Sequence, residues 1–186
     1  MLFIEHGFDK VSTTSLAKEA KISKSTLYNR FGNMQGVLDA IMATEEAKIE
    51  KNVPLNAKSM EEFIASLEKL GCNLLHFLNE PHVAKLDNMF AERSRDNPKS
   101  GVRFFAQSYQ QTLNIIHTIL ENAKLNGFLL PSVDTDLLAE VLLAGWEGFG
   151  HTKARFSVVK VPYEQVESRI KAVNKLLISP LVVDAV

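Results

Sequence analysis

Several things are scarce in this chain, and each scarcity closes off a class of answers. Cysteine occurs once, at Cys72, which excludes an intrachain disulfide framework and fits a reducing, cytoplasmic setting. Long apolar runs are missing. No stretch approaches the roughly 18 residues of a membrane-spanning helix, and the opening "EHGFDK" follows too soon on Met1 for a signal peptide, so no membrane partner is expected. The period-two alternation of strands is lacking, as are internal repeats and low-complexity tracts. HExxH, GxSxG, a P-loop and a GxGxxG after a strand are all absent, so neither an enzyme nor a cofactor is expected. The histidines at 6, 76, 82, 117 and 151 are scattered. Cys72 and His76 lie four apart on one helical face, but two ligands without a third make no metal site.

What is present is helical patterning along 186 residues, a length that suits one or two domains with a sizeable core. The composition, 46% hydrophobic and 23% charged, is that of an ordinary globular protein. The net charge of −1 is unevenly spread. Lys10, Lys18, Lys21, Lys24 and Arg30 face only Asp9 and Glu19 in the segment 9–30, a local +3, so the remainder carries −4. A basic end on an acidic body points to a polyanion partner at that end, or else to a merely solvated basic face.

Start and stop signals divide the chain. Phe3 and Ile4 belong to a short helix that Gly7 ends. Ser12 and Ser23 are N-caps for "TTSLAKEA" and "KSTLYNRF". Gly32–Asn33 breaks the chain, and Met34, Val37, Leu38, Ile41 and Met42 then recur at helical spacing towards Lys51. Pro54 and Asn56 mark a boundary over 52–57. Ser59 to Glu62 reads as a capping box for a helix reaching about Leu78. Pro81 opens a helix that ends near Asn97–Pro98. One long amphipathic stretch runs from Gly101 to Asn126 and stops at Gly127. Asp134 caps another helix, and Pro162 begins the last, through Leu177. The expected fold is all-α, about nine helices in two blocks: 1–51, including a connecting helix from about 34, and 52–186.

The stretch from Lys21 to Phe31, "KISKSTLYNRF", is unusually polar and contains no acid. Read with the preceding residues, it forms two helices joined by a tight turn. Leu16, Ala17 and Ala20 share a face of the first helix, Leu27 and Phe31 share a face of the second, and Ile22 plugs the corner. That spacing is a helix-turn-helix, whose second helix lies in the DNA major groove. With Leu27 and Phe31 inward, hydroxyls, amides and cations face outward, where they suit phosphates and base edges. The backbone N–H groups at both helix starts suit phosphate too. The candidate DNA-contacting residues are Ser12, Thr13, Thr14, Ser23, Lys24, Ser25, Thr26, Tyr28, Asn29, Arg30 and Asn33. Singly, each is also consistent with plain surface, and Tyr28 with a lid on a small core.

These residues carry a resemblance. "GFDKVSTTSLAKEAKISKSTLYNRFGNMQGVLDAI" resembles the DNA-binding domain of the tetracycline-repressor (TetR) family, through Gly7–Phe8, Ser12, Leu16–Ala17, Ala20, Ile22–Ser23–Lys24, Thr26–Leu27–Tyr28, Phe31 and Leu38. "FAERSRDNPKSGVRFFAQSY" and "GFLLPSVDTDLLAEVLLAGWEG" resemble one C-terminal subtype of that family more weakly. The resemblance implies a homodimeric repressor on a palindromic operator, released by a small effector bound in the second block, with the last two helices pairing across the dimer. Three features depart from the pattern. Lys21 stands where relatives have Gly at the turn, Met34 stands where many have Lys near phosphate, and the first helix is short. Asn33 and Gln35 are then left to replace the missing Lys.

For the implied effector pocket, the candidates are Phe77, Phe90, Phe105, Tyr109, His117, Trp146 and Phe149, all of which also suit an ordinary core. Trp146 and Phe149 lead because Gly145, Gly148 and Gly150 leave room beside them, and His117 and Tyr109 offer orienting hydrogen bonds. With few ionisable groups in that set, a mainly apolar effector is expected. The competing reading is a helical small-molecule carrier or adaptor with a relic helix-turn-helix.

Overall fold

The computed structural model describes residues 2–6, 10–155 and 163–183, except the side chains of residues 4, 149–155 and 163–164. The helix stop at Gly7 and the helix start at Pro162 fall outside the described residues. The described residues form the helices α1 (Leu2–His6), α2 (Thr13–Glu19), α3 (Lys24–Phe31), α4 (Met34–Glu50) and α5 (Met60–Leu78). They continue with α6 (Pro81–Asp96), α7 (Pro98–Gln107), α8 (Tyr109–Leu125), α9 (Thr135–Arg155) and α10 (Tyr163–Ile178). Among them the only strand-like pairing is an antiparallel bridge between Leu129 and Val182. The chain is all-α.

Local chemistry sets most of the boundaries. Ser12 and Ser23 accept hydrogen bonds from the backbone N–H groups of Ser15 and Thr26, so both are N-caps. Ser59 Oγ accepts from Glu62 N at 3.2 Å, while the Glu62 carboxylate accepts from Lys58 N at 2.6 Å, a box closed one residue early. Asp134 Oδ1 caps α9 through Leu137 N at 3.0 Å. Past α8, Gly127 sits at φ 76°, with Phe128 N bonded to Ala123 O and Gly127 N to Lys124 O, a Schellman closure.

The stretch expected as one helix after Gly101 is two. It breaks at Ser108, whose hydroxyl donates to Phe104 O at 2.9 Å and competes with the backbone there. Aromatic packing holds both sides of the break: Phe104 stacks on Phe90 at 4.2 Å between centroids, and Phe105 on Tyr109 at 5.8 Å.

α5 is the axis of the main core. Phe63, Leu67, Leu70 and Leu74 pack with Ile116 and Leu120 of α8, Leu142 and Trp146 of α9, and Ile170 of α10. Gly71 permits the closest approach, since a Cβ there would lie 2.8 Å from Ile170 Cδ1. Trp146 is fully buried, and its Nε1 donates to Asn174 Oδ1 at 2.8 Å. A second core joins Phe3, Val11, Leu38 and Met42 to Leu86 and Phe90 of α6. Packing therefore crosses the boundary expected near residue 51.

Of the positions with positive φ, two have opposite consequences. Lys21, in the turn between α2 and α3, has φ 55°. Gly148, inside α9, has φ 43° and ψ −149°. The resulting kink frees carbonyls that Arg169 of α10 satisfies, donating Nε to Trp146 O at 2.9 Å and a terminal N–H to Gly145 O at 2.5 Å. A Cβ on Gly148 would lie 2.0 Å from that guanidinium. Lys21→Gly should therefore stabilise by about 0.5–1 kcal/mol, because it removes the Cβ penalty. Gly148→Ala should destabilise by about 2 kcal/mol or more. Urea unfolding should move the two midpoints in opposite directions at unchanged slope; a gain for Gly148→Ala would contradict the kink.

Candidate nucleic-acid interface and effector cavity

α3 is docked by one side and presents the other. Leu27 is 2% exposed, whereas the neighbouring Tyr28 is 47% exposed. Lys24, Ser25, Thr26, Asn29 and Arg30 are also exposed, as are Ser12, Thr14, Ser23 and Asn33, with Thr13 half-buried. The eleven candidate residues thus lie on or beside α2 and α3, ten of them exposed, in the same segment as the exposed Lys10, Lys18 and Lys21.

Their side chains are not equivalent. Ser23 Oγ lies 2.7 Å from Ser25 Oγ and 2.8 Å from Thr26 Oγ1, so three hydroxyls ring the start of α3. Ser12 is engaged with Ser15, and Asn33 caps α4 by accepting from Gly36 N at 2.9 Å. The Arg30 guanidinium lies 6.0 Å from the centre of the Phe31 ring. Lys24, Tyr28 and Asn29 take no part in these caps. Met34, where many relatives carry Lys, packs against the second core. Gln35 is taken up as well: its amide donates to Asp39 at 3.0 Å and accepts from Arg93 at 3.0 Å. A phosphate role for Gln35 would require breaking both bonds.

A cavity of about 570 Å³, counted with its open mouth, lies between α4, α5, α6, α8 and α9. Its apolar wall includes Met42, Ile49, Leu74, Phe77, Leu86, Phe104 and Leu143. Of the sequence candidates, Phe77 and Tyr109 line it. Phe90 stands behind Phe104, and Phe105 is a half-exposed ring stacked on Tyr109. Trp146 and His117 lie elsewhere. Trp146 is in the main core, and His117 Nε2 is 3.3 Å from Asp136 Oδ1 at the surface. The side chain of Phe149 is outside the described residues. The room beside Gly145 and Gly148 is taken by Val173 and Arg169 of α10.

The lining also holds four carboxylates, Glu45, Glu46, Asp87 and Glu147, and, among the described residues, no lysine or arginine. The expectation of few ionisable groups is therefore corrected. Burial tends to raise Glu45, but hydrogen bonds and charge from Lys48 (2.5 Å) and His82 (3.0 Å) outweigh it and lower its pKa. Glu46 has no such partner. Burial alone pushes it up to about 7, and its Oε1 finds no hydrogen bond. Glu147 is likewise pushed up to about 7, by burial and then by the charge of Asp87. A sequence signal for Glu46 existed: it follows Leu38 and Met42 and precedes Ile49 along the apolar stripe of α4. Glu147 stands four residues after the buried Leu143 in the same way.

Residues 1–41 match the model of a family described as bacterial regulatory proteins, tetR family. The chain is similar to an HTH-type transcriptional regulator, YdeS, of Bacillus subtilis (strain 168), with 26% identity over 147 residues, 74% of this chain and 68% of that protein. In fold it is similar to a TetR transcriptional regulator from Agrobacterium tumefaciens, with a TM-score of 0.77 at 20% identity over 98% of this chain and 90% of that one. It is also similar to the flavonoid-responsive regulator FrrA, with a TM-score of 0.75 at 21% identity over 99% and 93% of the two chains. The matched segment is the one that carries the capped helices α2 and α3 and the outward polar face, and these likenesses together support a helix-turn-helix regulator of the TetR type.

Proposed function

We propose that the chain is a homodimeric repressor that binds a palindromic operator and is released by a small effector in the cavity between α4, α5, α6, α8 and α9. Block 1–51 reads DNA, and block 52–186 dimerises and supplies most of the effector site. The action is binding, in the cytoplasm, without catalysis or cofactor. The observation that carries this reading is α3 itself, an eight-residue helix anchored by Leu27 with Lys24, Tyr28 and Asn29 turned outward on a basic end. Two such helices must sit about 34 Å apart to enter successive major grooves.

The coupling route is short. α4 begins directly after α3 and contributes Met42, Glu45, Glu46 and Ile49 to the cavity wall. α6 and α7 hold its first turns through Arg93 to Gln35 and an Arg103–Asp39 ion pair. Phe104, next to Arg103, faces the cavity. An effector that displaces Phe104 or α4 would tilt α3 and change the spacing of the recognition helices. An effector that weakens DNA binding tenfold must bind the DNA complex about tenfold less tightly. The response of FrrA to a flavonoid supports an effector of drug-like size. A carrier or adaptor with a relic helix-turn-helix is the second reading, and it would show no salt-dependent binding to duplex DNA.

Lys24→Ala should weaken binding to all sequences alike and flatten the slope of log affinity against log salt by roughly one. Fluorescence anisotropy with operator and random duplexes measures this; an unchanged slope removes Lys24 from the phosphate contacts. Dimerisation is supported by apolar side chains left exposed along the last helices: Leu137 and Val141 on α9 and Leu176 on α10, at 57%, 40% and 74%. Sedimentation should give twice the 20.8 kDa chain mass at micromolar concentration. Val141→Asp, by burying an unpaired charge in the interface, should cost about 3 kcal/mol or more of association. It should yield a helical monomer; a variant that stays dimeric would place the interface elsewhere.

A further inference from the structure

The cavity's charges and its apolar wall do not match each other unless something brings a positive charge. Glu46 is only 9% exposed, and its Oε1 is buried without a hydrogen-bond partner. It comes from α4, while Glu147 comes from α9 and Asp87 from α6, so three helices direct acid into one space. Glu45 already holds Lys48 and His82. Among the described residues no lysine or arginine lines the cavity beside Glu46 and Glu147. A carboxylate in an apolar site is either neutralised by a proton or held by a positive charge.

We propose that the effector is an amphipathic organic cation, with an apolar body against Leu74, Phe77, Leu86 and Phe104 and a basic nitrogen held by the carboxylates of Glu46 and Glu147. This rests on the reading of the cavity as the effector site. An ammonium or amidinium donates charge-assisted hydrogen bonds to a carboxylate of this lining, and the surrounding hydrocarbon strengthens them. An anionic amphiphile of the same shape would meet like charge. A neutral one would fill the wall and leave Glu46 Oε1 without a charge partner. Because Glu46 and Glu147 are protonated in much of the empty protein near neutral pH, a bound cation must displace protons from them. Affinity therefore rises with pH through about 7 and is lost on acidification. The ionisable groups around the site are Glu45 and Glu46 on α4, Asp87 and His82 on α6, Tyr109 on α8 and Glu147 on α9.

The test uses three probes that differ only in their head group: 4-phenylbutylamine, 4-phenylbutanol and 5-phenylpentanoate, titrated calorimetrically into the full chain at pH 8. The amine should bind at least about tenfold more tightly than the alcohol, with the carboxylate weakest. At pH 7 the heat of amine binding should depend on the buffer's ionisation enthalpy, as proton release requires, and the alcohol's should not. The double variant Glu46→Gln, Glu147→Gln should bring the amine down to the alcohol's affinity and leave the alcohol within about twofold. Circular dichroism and thermal melting check that this variant folds; with two buried charges removed, it should melt no lower than the parent. If the alcohol or the carboxylate matches the amine in the parent protein, the cation assignment fails while the cavity reading stands. If the amine's advantage survives in the double variant, these two carboxylates are not its site. If none of the three probes binds, the effector-cavity reading falls with the cation.

Discussion

α4 is the member on which the other elements depend, because it is buried in two cores at once. Leu38 and Met42 pack with Phe3, Leu86 and Phe90, and Ile49, two turns further on, packs with the α5 core. A helix is stiff over this length. Whatever moves one end relative to α6 must move the other, and α3 is joined to α4 by only Gly32 and Asn33. The recognition helix, packed on α2 and α4, is therefore positioned through α4, which contacts with α6 and α7 hold in place. Ala17 and Leu27 alone could not do this. They are the only residues of α2 and α3 that are fully buried, and a core that small stabilises little without support.

The parts legible in the sequence are those set by neighbours along the chain. Ser12, Ser23, Ser59 and Asp134 cap helices because each hydroxyl or carboxylate can reach an N–H two or three residues on, whatever the rest of the fold does. The strained turn at Lys21 was readable for the same reason: the geometry of a tight helix–helix turn demands a positive φ, and only the residue type decides its cost. The break at Ser108 was not readable. An apolar stripe at period 3.6 continues through it, and the bend depends on Phe104 finding Phe90 on another helix.

The cavity was the least legible element, and its residues show why. Aromatic content suggested Trp146, but a tryptophan fills space better than it lines it. Its one polar atom is bonded to Asn174, so it belongs to the core. Glycines at 145 and 148 suggested room, and α10 occupies that room with Val173 and Arg169. Three-dimensional neighbours decided both cases. The usable signal lay in the misfits: Glu46 and Glu147 stand at positions that helical period assigns to apolar residues. A carboxylate on an apolar stripe opposes folding, since burying it costs free energy that leucine or methionine would not.

That cost gives a physical sense to the placement of Glu46. With the cavity empty, the burden of its desolvation falls on α4, the same helix that positions α3. With a cation bound, the carboxylate is paired and the packing of α4 against α6 and α9 that suits the ligand becomes the favoured one. The two states then differ in free energy by an interaction made at the lever itself, which is what a ligand must provide if it is to shift an equilibrium at all. Glu45, one residue earlier, is already satisfied by Lys48 and His82 and contributes no such difference. Adjacent glutamates on one helix thus have opposite roles: Glu45 ties α4 to α6 in both states, and Glu46 makes the position of α4 depend on what the cavity holds.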